Sequence, residues 1–289
     1  MSAEGECEHE SMSVSADTDR QVVDPEQRLI FAMGGGGFTM EPANPLLDDF
    51  VLSLSEVGEP RVLFLPTASG DTIAQINAFK ERFSERACGG EVLSLFHLRE
   101  LTRSLEQIVL AQDIIYVGGG SMRNLLALWH AHGLDRLLIQ AWERGVVLAG
   151  LSAGAMCWFA GGVTCSSGAP EPIDGLGILP GSLTVHADGE PERLPVWLAA
   201  VRDGTLPGGW ALDDGVGLLF RGLSPERAVS SRPGAGGQRV DAIEGELVRK
   251  RLDVELLGEG PQAALGGFDE AVEELRRVNR MRRGGSRGC

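Results

Sequence analysis

The chain is poor in positive charge. Lys and Arg together number 26 against 41 Asp and Glu over 289 residues, a formal net charge of -15. That deficit argues against a general binder of nucleic acid or of anionic membranes, which would be repelled by the bulk of the surface. Only two of the 26 are lysines, Lys80 and Lys250, the codon signature of a GC-rich genome rather than a functional choice. Long hydrophobic runs are missing as well: no apolar stretch approaches the roughly 18–20 residues that span a bilayer. No basic segment followed by an apolar one opens the sequence, so no secretory signal is visible. Cysteine is sparse and unpatterned. Cys7, Cys88, Cys157, Cys165 and Cys289 form an odd set without CxxC spacing. A disulfide framework or zinc site is therefore not expected, no other cofactor is called for, and a reducing cytoplasm fits best. Internal repeats are absent.

What is present is an ordinary globular mixture, 43% hydrophobic and 23% charged, enough to bury a sizeable core. Charge is unevenly spread. Residues 1–27 carry eight acids and one Arg, residues 276–289 carry six Arg and no acid, and the body between them holds a net -14. Residues 1–27 lack hydrophobic periodicity and read as a disordered acidic tail. Residues 261–289 read as a terminal helix, amphipathic over 270–281, that runs into a basic tail.

From Arg28 onward short apolar runs end in glycine-rich or polar turns and alternate with longer amphipathic stretches. The runs cover residues 29–33, 61–65, 91–96, 114–117 and 146–151, and the helical stretches cover 44–55, 72–87, 122–132 and 134–144. Strands that are apolar on both faces, alternating with helices, imply an α/β fold with a mostly parallel sheet covered on each side. Ligands of such sheets sit beyond the carboxyl ends of the strands. Four small-residue loops fall at that edge: residues 34–37, 66–71, 118–121 and 152–154.

One of these loops carries chemistry. Gly150-Leu151-Ser152-Ala153-Gly154 matches the G-x-S-x-G elbow, in which a sharp strand-to-helix turn exposes a serine hydroxyl. With 19 Ser and 40 Gly in the chain, the pattern arises by chance about 0.4 times, so context must carry it. The context agrees, because an apolar strand precedes the motif and a helix-like stretch, 155–159, follows it. The N–H of Ala153, at the helix start, is placed to donate to an oxyanion. A glycine-rich packing turn with an incidental serine is the plain alternative.

A nucleophilic serine needs a base, usually histidine. Of five histidines, His9 lies in the acidic tail, His97 follows an apolar run, and His130 and His132 lie two apart on one helix, where surface or capping roles fit. His186 alone follows Ser152, at the end of a short strand running into the polar turn Ala187-Asp188-Gly189-Glu190.

Taken together, these residues resemble the dipeptidase E and cyanophycinase family of serine peptidases, whose fold is similar to class I glutamine amidotransferases. The resemblance runs from about Leu29 to Arg232. It rests on Met33-Gly34-Gly35-Gly36-Gly37-Phe38, Leu65-Pro66-Thr67-Ala68-Ser69, Tyr116-Val117-Gly118-Gly119-Gly120, the elbow, and His186-Ala187-Asp188-Gly189-Glu190, in that order. It implies a three-layer, flavodoxin-like sandwich over residues 28–260, with Ser152 as nucleophile, His186 as general base, and the N–H groups of Gly120 and Ala153 as oxyanion hole. The resemblance implies peptide hydrolysis through an acyl-enzyme, on dipeptides or short peptides, with N-terminal aspartate favoured in the dipeptidase E branch and an aspartate–arginine polymer cleaved by the cyanophycinases, so side-chain specificity stays open; a homodimer is a candidate assembly.

Three positions depart from the family pattern. Ser121 stands where relatives carry Asn, and is assigned to substrate contact. Cys165 stands where relatives often carry an acid, and Ala187 replaces an aromatic. The third triad member is then open: Glu171 is favoured, with Asp174, Asp188, Glu190 and Asp214 as alternatives. Asp213-Asp214-Gly215 reads equally as a plain turn or as a means of holding a substrate amine. Arg123, Arg193 and Arg232 lie near the loops that would bind an acidic group. Two other readings stand beside the peptidase: a catalytically silent member that binds a ligand, supported by Cys165 and Ser121, and an α/β-hydrolase esterase, whose histidine normally lies much farther from its serine.

Overall fold

The computed structural model describes residues 20–83 and 90–258. Residues 1–19 of the acidic tail, the end of the 72–87 stretch and the C-terminal helix with its basic tail lie outside the described residues; the rest of the tail is not disordered as expected, since Arg20 pairs with Asp113, the Val23 N–H donates to Glu143 O and residues 25–27 form a helical turn.

The elements follow in the order β1 (Leu29–Met33), α1 (Gly37–Met40), α2 (Leu46–Ser53), β2 (Val62–Leu65), α3 (Ile73–Phe83), β3 (Gly90–Val92), α4 (Leu105–Leu110) and β4 (Ile114–Val117). Then come α5 (Met122–His132), α6 (Leu134–Glu143), β5 (Val147–Leu151), α7 (Ala153–Met156), β6 (Phe159–Thr164), β7 (Glu171–Asp174), β8 (Leu179–Thr184) and α8 (Arg193–Asp203). The described chain closes with β9 (Gly209–Leu212), β10 (Val216–Arg221), β11 (Ser224–Ser230), β12 (Gly237–Ile243), β13 (Glu246–Arg251) and β14 (Val254–Leu256).

Eight strands form the main sheet in the order β14-β11-β10-β1-β5-β4-β2-β3. The β1-β5-β4-β2-β3 half is parallel throughout, and β10 runs antiparallel to both β1 and β11. Side chains of a strand point alternately to the two faces. Accordingly Ile30, Ala32, Leu63, Leu65, Ile115 and Val117 join one apolar core with α4 to α7. Phe31, Met33, Val62, Phe64, Ile114 and Tyr116 join the other, with α1 to α3. These are the helix–sheet–helix layers of the expected sandwich. Helices 73–83, 122–132 and 134–143 match their sequence patterns closely. The third strand is shorter than its apolar run (Gly90–Val92 rather than 91–96), and the helix after the elbow begins at Ala153 and gives way to β6 at Phe159.

A six-stranded second sheet, β13-β12-β9-β8-β6-β7, is marked in the sequence pattern only by the short strand before His186. Its strands are short and several carry glycine or proline, as in Leu179–Thr184 and Gly237–Ile243, so the two-residue alternation is diluted. Helix α8 packs on it through Trp197, Ala200 and Val201. This sheet brings His186 and the 213–215 turn to the elbow, because the turns after β8 and after β9 both reach the carboxyl edge of the main sheet. His186 N–H donates to Gly34 O, and Gly215 N–H donates to Gly35 O, tying these turns to the loop after β1. Among the described residues no helix is long and apolar enough to cross a membrane.

Candidate active site

Ser152 caps β5 and starts α7 at φ 54° and ψ -117°, left-handed space that a non-glycine residue occupies only under constraint. The constraint is visible. The Ser152 N–H donates to Met33 O at 3.0 Å, and its carbonyl accepts from Ala155 and Met156, so strand and helix turn about this residue. The elbow's two glycines are required by backbone proximity: a Cβ on Gly150 would collide with Gly154 O, and one on Gly154 with Val117 O. As first residue of α7, Ala153 has no acceptor for its N–H within the helix. The glycine loop after β4 lies against the serine, since a Cβ on Gly119 would sit 3.2 Å from Ser152 Cβ. Gly120 follows at φ 143°. Ser121 caps α5 and accepts the Asn124 N–H, so one of its lone pairs is already engaged.

His186 leaves β8 at φ 53°, a second left-handed non-glycine residue at the same edge. Its Nε2 lies 2.9 Å from Ser152 Oγ and its Nδ1 lies 2.5 Å from Asp214 Oδ1. A carboxylate can only accept, so Nδ1 carries the proton, and Nε2 of the neutral ring is left to accept from the serine hydroxyl. Burial by itself would raise the Asp214 carboxyl. The hydrogen bond from His186, the positive charge of the ring when it is protonated, and the nearby Arg232 guanidinium outweigh burial and hold it below the usual range. The Asp214 N–H is fixed by Asp188 Oδ1 at 2.8 Å. Serine, imidazole and carboxylate thus form a continuous relay, in which the serine proton can pass to a ring whose positive charge is met by an anion.

Glu171, the acid favoured on sequence grounds, does not reach this relay. It lies on β7, the outermost strand of the second sheet, and is bound at 2.8 Å by Arg123, with both side chains substantially exposed. Glu190 is taken by Arg193, Asp174 is exposed on β7, and Asp188 holds the Asp214 backbone. Asp214 stands in the β9–β10 turn, and it is this turn that delivers the carboxylate to His186. Cys165 lies 3.7 Å from Glu190 Oε2 and belongs to the Glu190–Arg193 cluster. All three arginines near the loops are engaged: Arg123 with Glu171, Arg193 with Glu190 and Val163 O, and Arg232 with Glu41. His97 and His130 face Glu100 and Asp135 at the surface. Among the described residues no cluster of three or more His, Cys, Asp or Glu could hold a metal.

This relay stands on a fold that known proteins share. The model of peptidase family S51 matches residues 30–226. The uncharacterized peptidase YgaJ of Bacillus subtilis (strain 168) is 46% identical over 231 residues, covering 80% of this chain and all of that protein. The chain belongs to peptidase family S51. This is the dipeptidase E family to which the sequence motifs pointed, and membership makes the protein a hydrolase of the serine peptidase class. In structure, a peptidase from an acI-B1 actinobacterium resembles it with a TM-score of 0.61 at 20% identity, over 80% of this chain and 95% of that one. At that identity the likeness speaks for the fold alone.

Sequence reasoning left Asp214 as one of five acids. A usable signal was its position in a tight turn directly after an apolar strand, the same setting that singled out His186. The glycine behind it, Gly35, was marked in the sequence only as one member of the 34–37 loop. Its role is visible only in space, where a Cβ would crowd both Asp214 Oδ1 and the His186 ring.

Proposed function

We propose that the protein hydrolyses dipeptides or short peptides, with Ser152 as nucleophile, His186 as general base and Asp214 as the acid that orients and stabilises it. The observation that carries this reading is the relay itself: 2.9 Å from Ser152 Oγ to His186 Nε2 and 2.5 Å from Nδ1 to Asp214. Ser152 attacks the peptide carbonyl while His186 takes its proton. The oxyanion is received by the N–H groups of Gly120 and Ala153, His186 returns the proton to the leaving amine, and water then cleaves the acyl-enzyme. Ser121 borders the site and contacts the peptide. Because Asp214 supplies a carboxylate, Cys165 does not weaken the site, which removes the main support for a silent member.

The acids around the relay, Asp188, Asp213 and Asp214, suit a substrate's free amine. A preference for N-terminal aspartate would require one of the arginine pairs to open. Rates on Asp-Leu, Ala-Leu and Arg-Leu measure that preference directly. The test of the mechanism is Ser152→Ala: peptide turnover and fluorophosphonate labelling should vanish while the thermal midpoint stays nearly constant. Persistent turnover in a clean Ser152→Ala preparation would overturn the assignment.

A further inference from the structure

The chain has one tyrosine, and it lies buried at the end of β4 beside a buried carboxylate that the relay does not use. Tyr116 OH donates to Asp48 Oδ1 at 3.2 Å, and Asp48, on α2, has no exposed surface. Asp48 also accepts the backbone N–H of Phe38 and lies 3.2 Å from Arg82 Nε of α3. Arg82 in turn donates from Nη2 to Pro42 O at 2.6 Å. The segment between those two anchor points, residues 38–42, is therefore gripped from below at both ends. Glycine is needed directly above the grip, since a Cβ on Gly37 would lie 2.7 Å from Tyr116 OH and 3.0 Å from Asp48 Oδ1.

That segment is one side of the catalytic relay. Glu41, inside it, accepts from Ser231 Oγ at 2.9 Å and pairs with Arg232, whose charge acts on Asp214. Just before it, Gly35 forms the wall against which Asp214 and the His186 ring lie, and its carbonyl takes the Gly215 N–H. We propose that Asp48, with Arg82 and Tyr116, positions the 34–42 loop and through it the His186–Asp214 pair. Asp48 is a positioning residue, and the proposal rests on the peptidase reading above. An exposed loop tie would not need a buried ion pair. Here burial pushes the Asp48 carboxyl up to about 7, in spite of Arg82, the Phe38 N–H and Tyr116, with Asp49 adding to the rise.

The test compares four variants: Asp48→Ala, Asp48→Asn, Tyr116→Phe and, as a stability-matched control, Val51→Ala, a buried residue of α2 with no part in the grip. Two readouts are followed in the folded protein, the fluorophosphonate labelling rate of Ser152 and the low-field proton resonance of His186 Nδ1–H. Asp48→Ala should slow labelling about tenfold or more and shift or broaden the resonance, the scale set by a displacement of an ångström or less. Asp48→Asn keeps an acceptor for the Phe38 N–H and should recover to within about threefold of wild type. Tyr116→Phe should move the resonance in the same direction, and Val51→Ala should change neither readout. Unmoved resonance and near-wild-type labelling in both Asp48→Ala and Tyr116→Phe would overturn the proposal, as would equal effects from Val51→Ala. If Ser152 in the wild type resists labelling, the peptidase reading fails, while the His186 resonance still decides whether Asp48 positions the pair.

Discussion

Gly35→Ala inserts one methyl group behind the Asp214 carboxylate, the proposed triad acid. The new Cβ would fall inside 3.0 Å of Asp214 Oδ1 and lie 2.9 Å from both Nδ1 and Cε1 of His186. Non-bonded carbon and oxygen atoms settle at roughly 3.3–4.0 Å, so the carboxylate must withdraw by about 1 Å. Its 2.5 Å hydrogen bond to Nδ1 then lengthens to roughly 3.5 Å, beyond the range in which it fixes the tautomer. Losing the acid of a serine triad costs up to about 10⁴ in kcat, and a 1 Å misplacement costs about 10². The expected loss therefore lies between about 10² and 10⁴, or roughly 3–5 kcal/mol of transition-state stabilisation. Overpacking should lower stability by about 1–3 kcal/mol, leaving a folded protein to assay. Gly58→Ala is the matched control, since nothing lies within 4 Å of its added Cβ. Single-turnover labelling of Ser152 and turnover of a dipeptide, read beside the thermal midpoint, decide the matter. A folded Gly35→Ala enzyme that labels within about threefold of wild type would refute the claim that Asp214 works from this wall.

Further expectations follow from the same geometry. Asp214→Asn should reduce peptide turnover by about 10³–10⁴, whereas Glu171→Gln, which loses only an exposed pair with Arg123, should stay within about twofold; the reverse ranking would return the triad acid to Glu171. Stability against pH should carry the signature of Asp48. Its carboxyl is raised to about 7 in the fold against about 3.9 in the unfolded chain. The folded state therefore keeps a proton that the unfolded state releases, and this contribution is full below about pH 4 and lost as pH rises through about 7. Relative to Asp48→Asn, the wild type should lose on the order of 4 kcal/mol over that range, measurable from urea midpoints. A difference that stays flat from about pH 4 to pH 8 would contradict it.

Much of the main sheet was legible because local rules govern it. The apolar runs of β1, β2, β4 and β5 are covered on both faces and so read as continuous hydrophobic stretches, and their helices announce themselves by period. The short third strand keeps only residues 91 and 92 of its run: the Leu93 N–H still donates to Phe64 O of β2, and the chain then turns at residues 95–96, with Leu93 and Leu95 buried. Apart from the strand before His186, the second sheet escaped notice because short strands broken by Pro and Gly carry little periodicity.

From the sequence alone came the family, the α/β architecture, and the two residues of strongest chemical character, Ser152 and His186. Each is marked by its neighbours in the chain: an elbow whose glycines are forced by local backbone approach, and a lone histidine downstream. Choosing among five carboxylates was beyond it. Asp214 follows β9 in the turn that leads back to the main sheet, whereas Glu171 lies on β7, the outer strand of the second sheet, beside Arg123. That choice depends on how β9 and β7 are ordered across the sheet, which is set by long-range strand pairing and leaves no mark in local sequence. The same holds for Gly35 and Asp48, whose neighbours in space lie far along the chain.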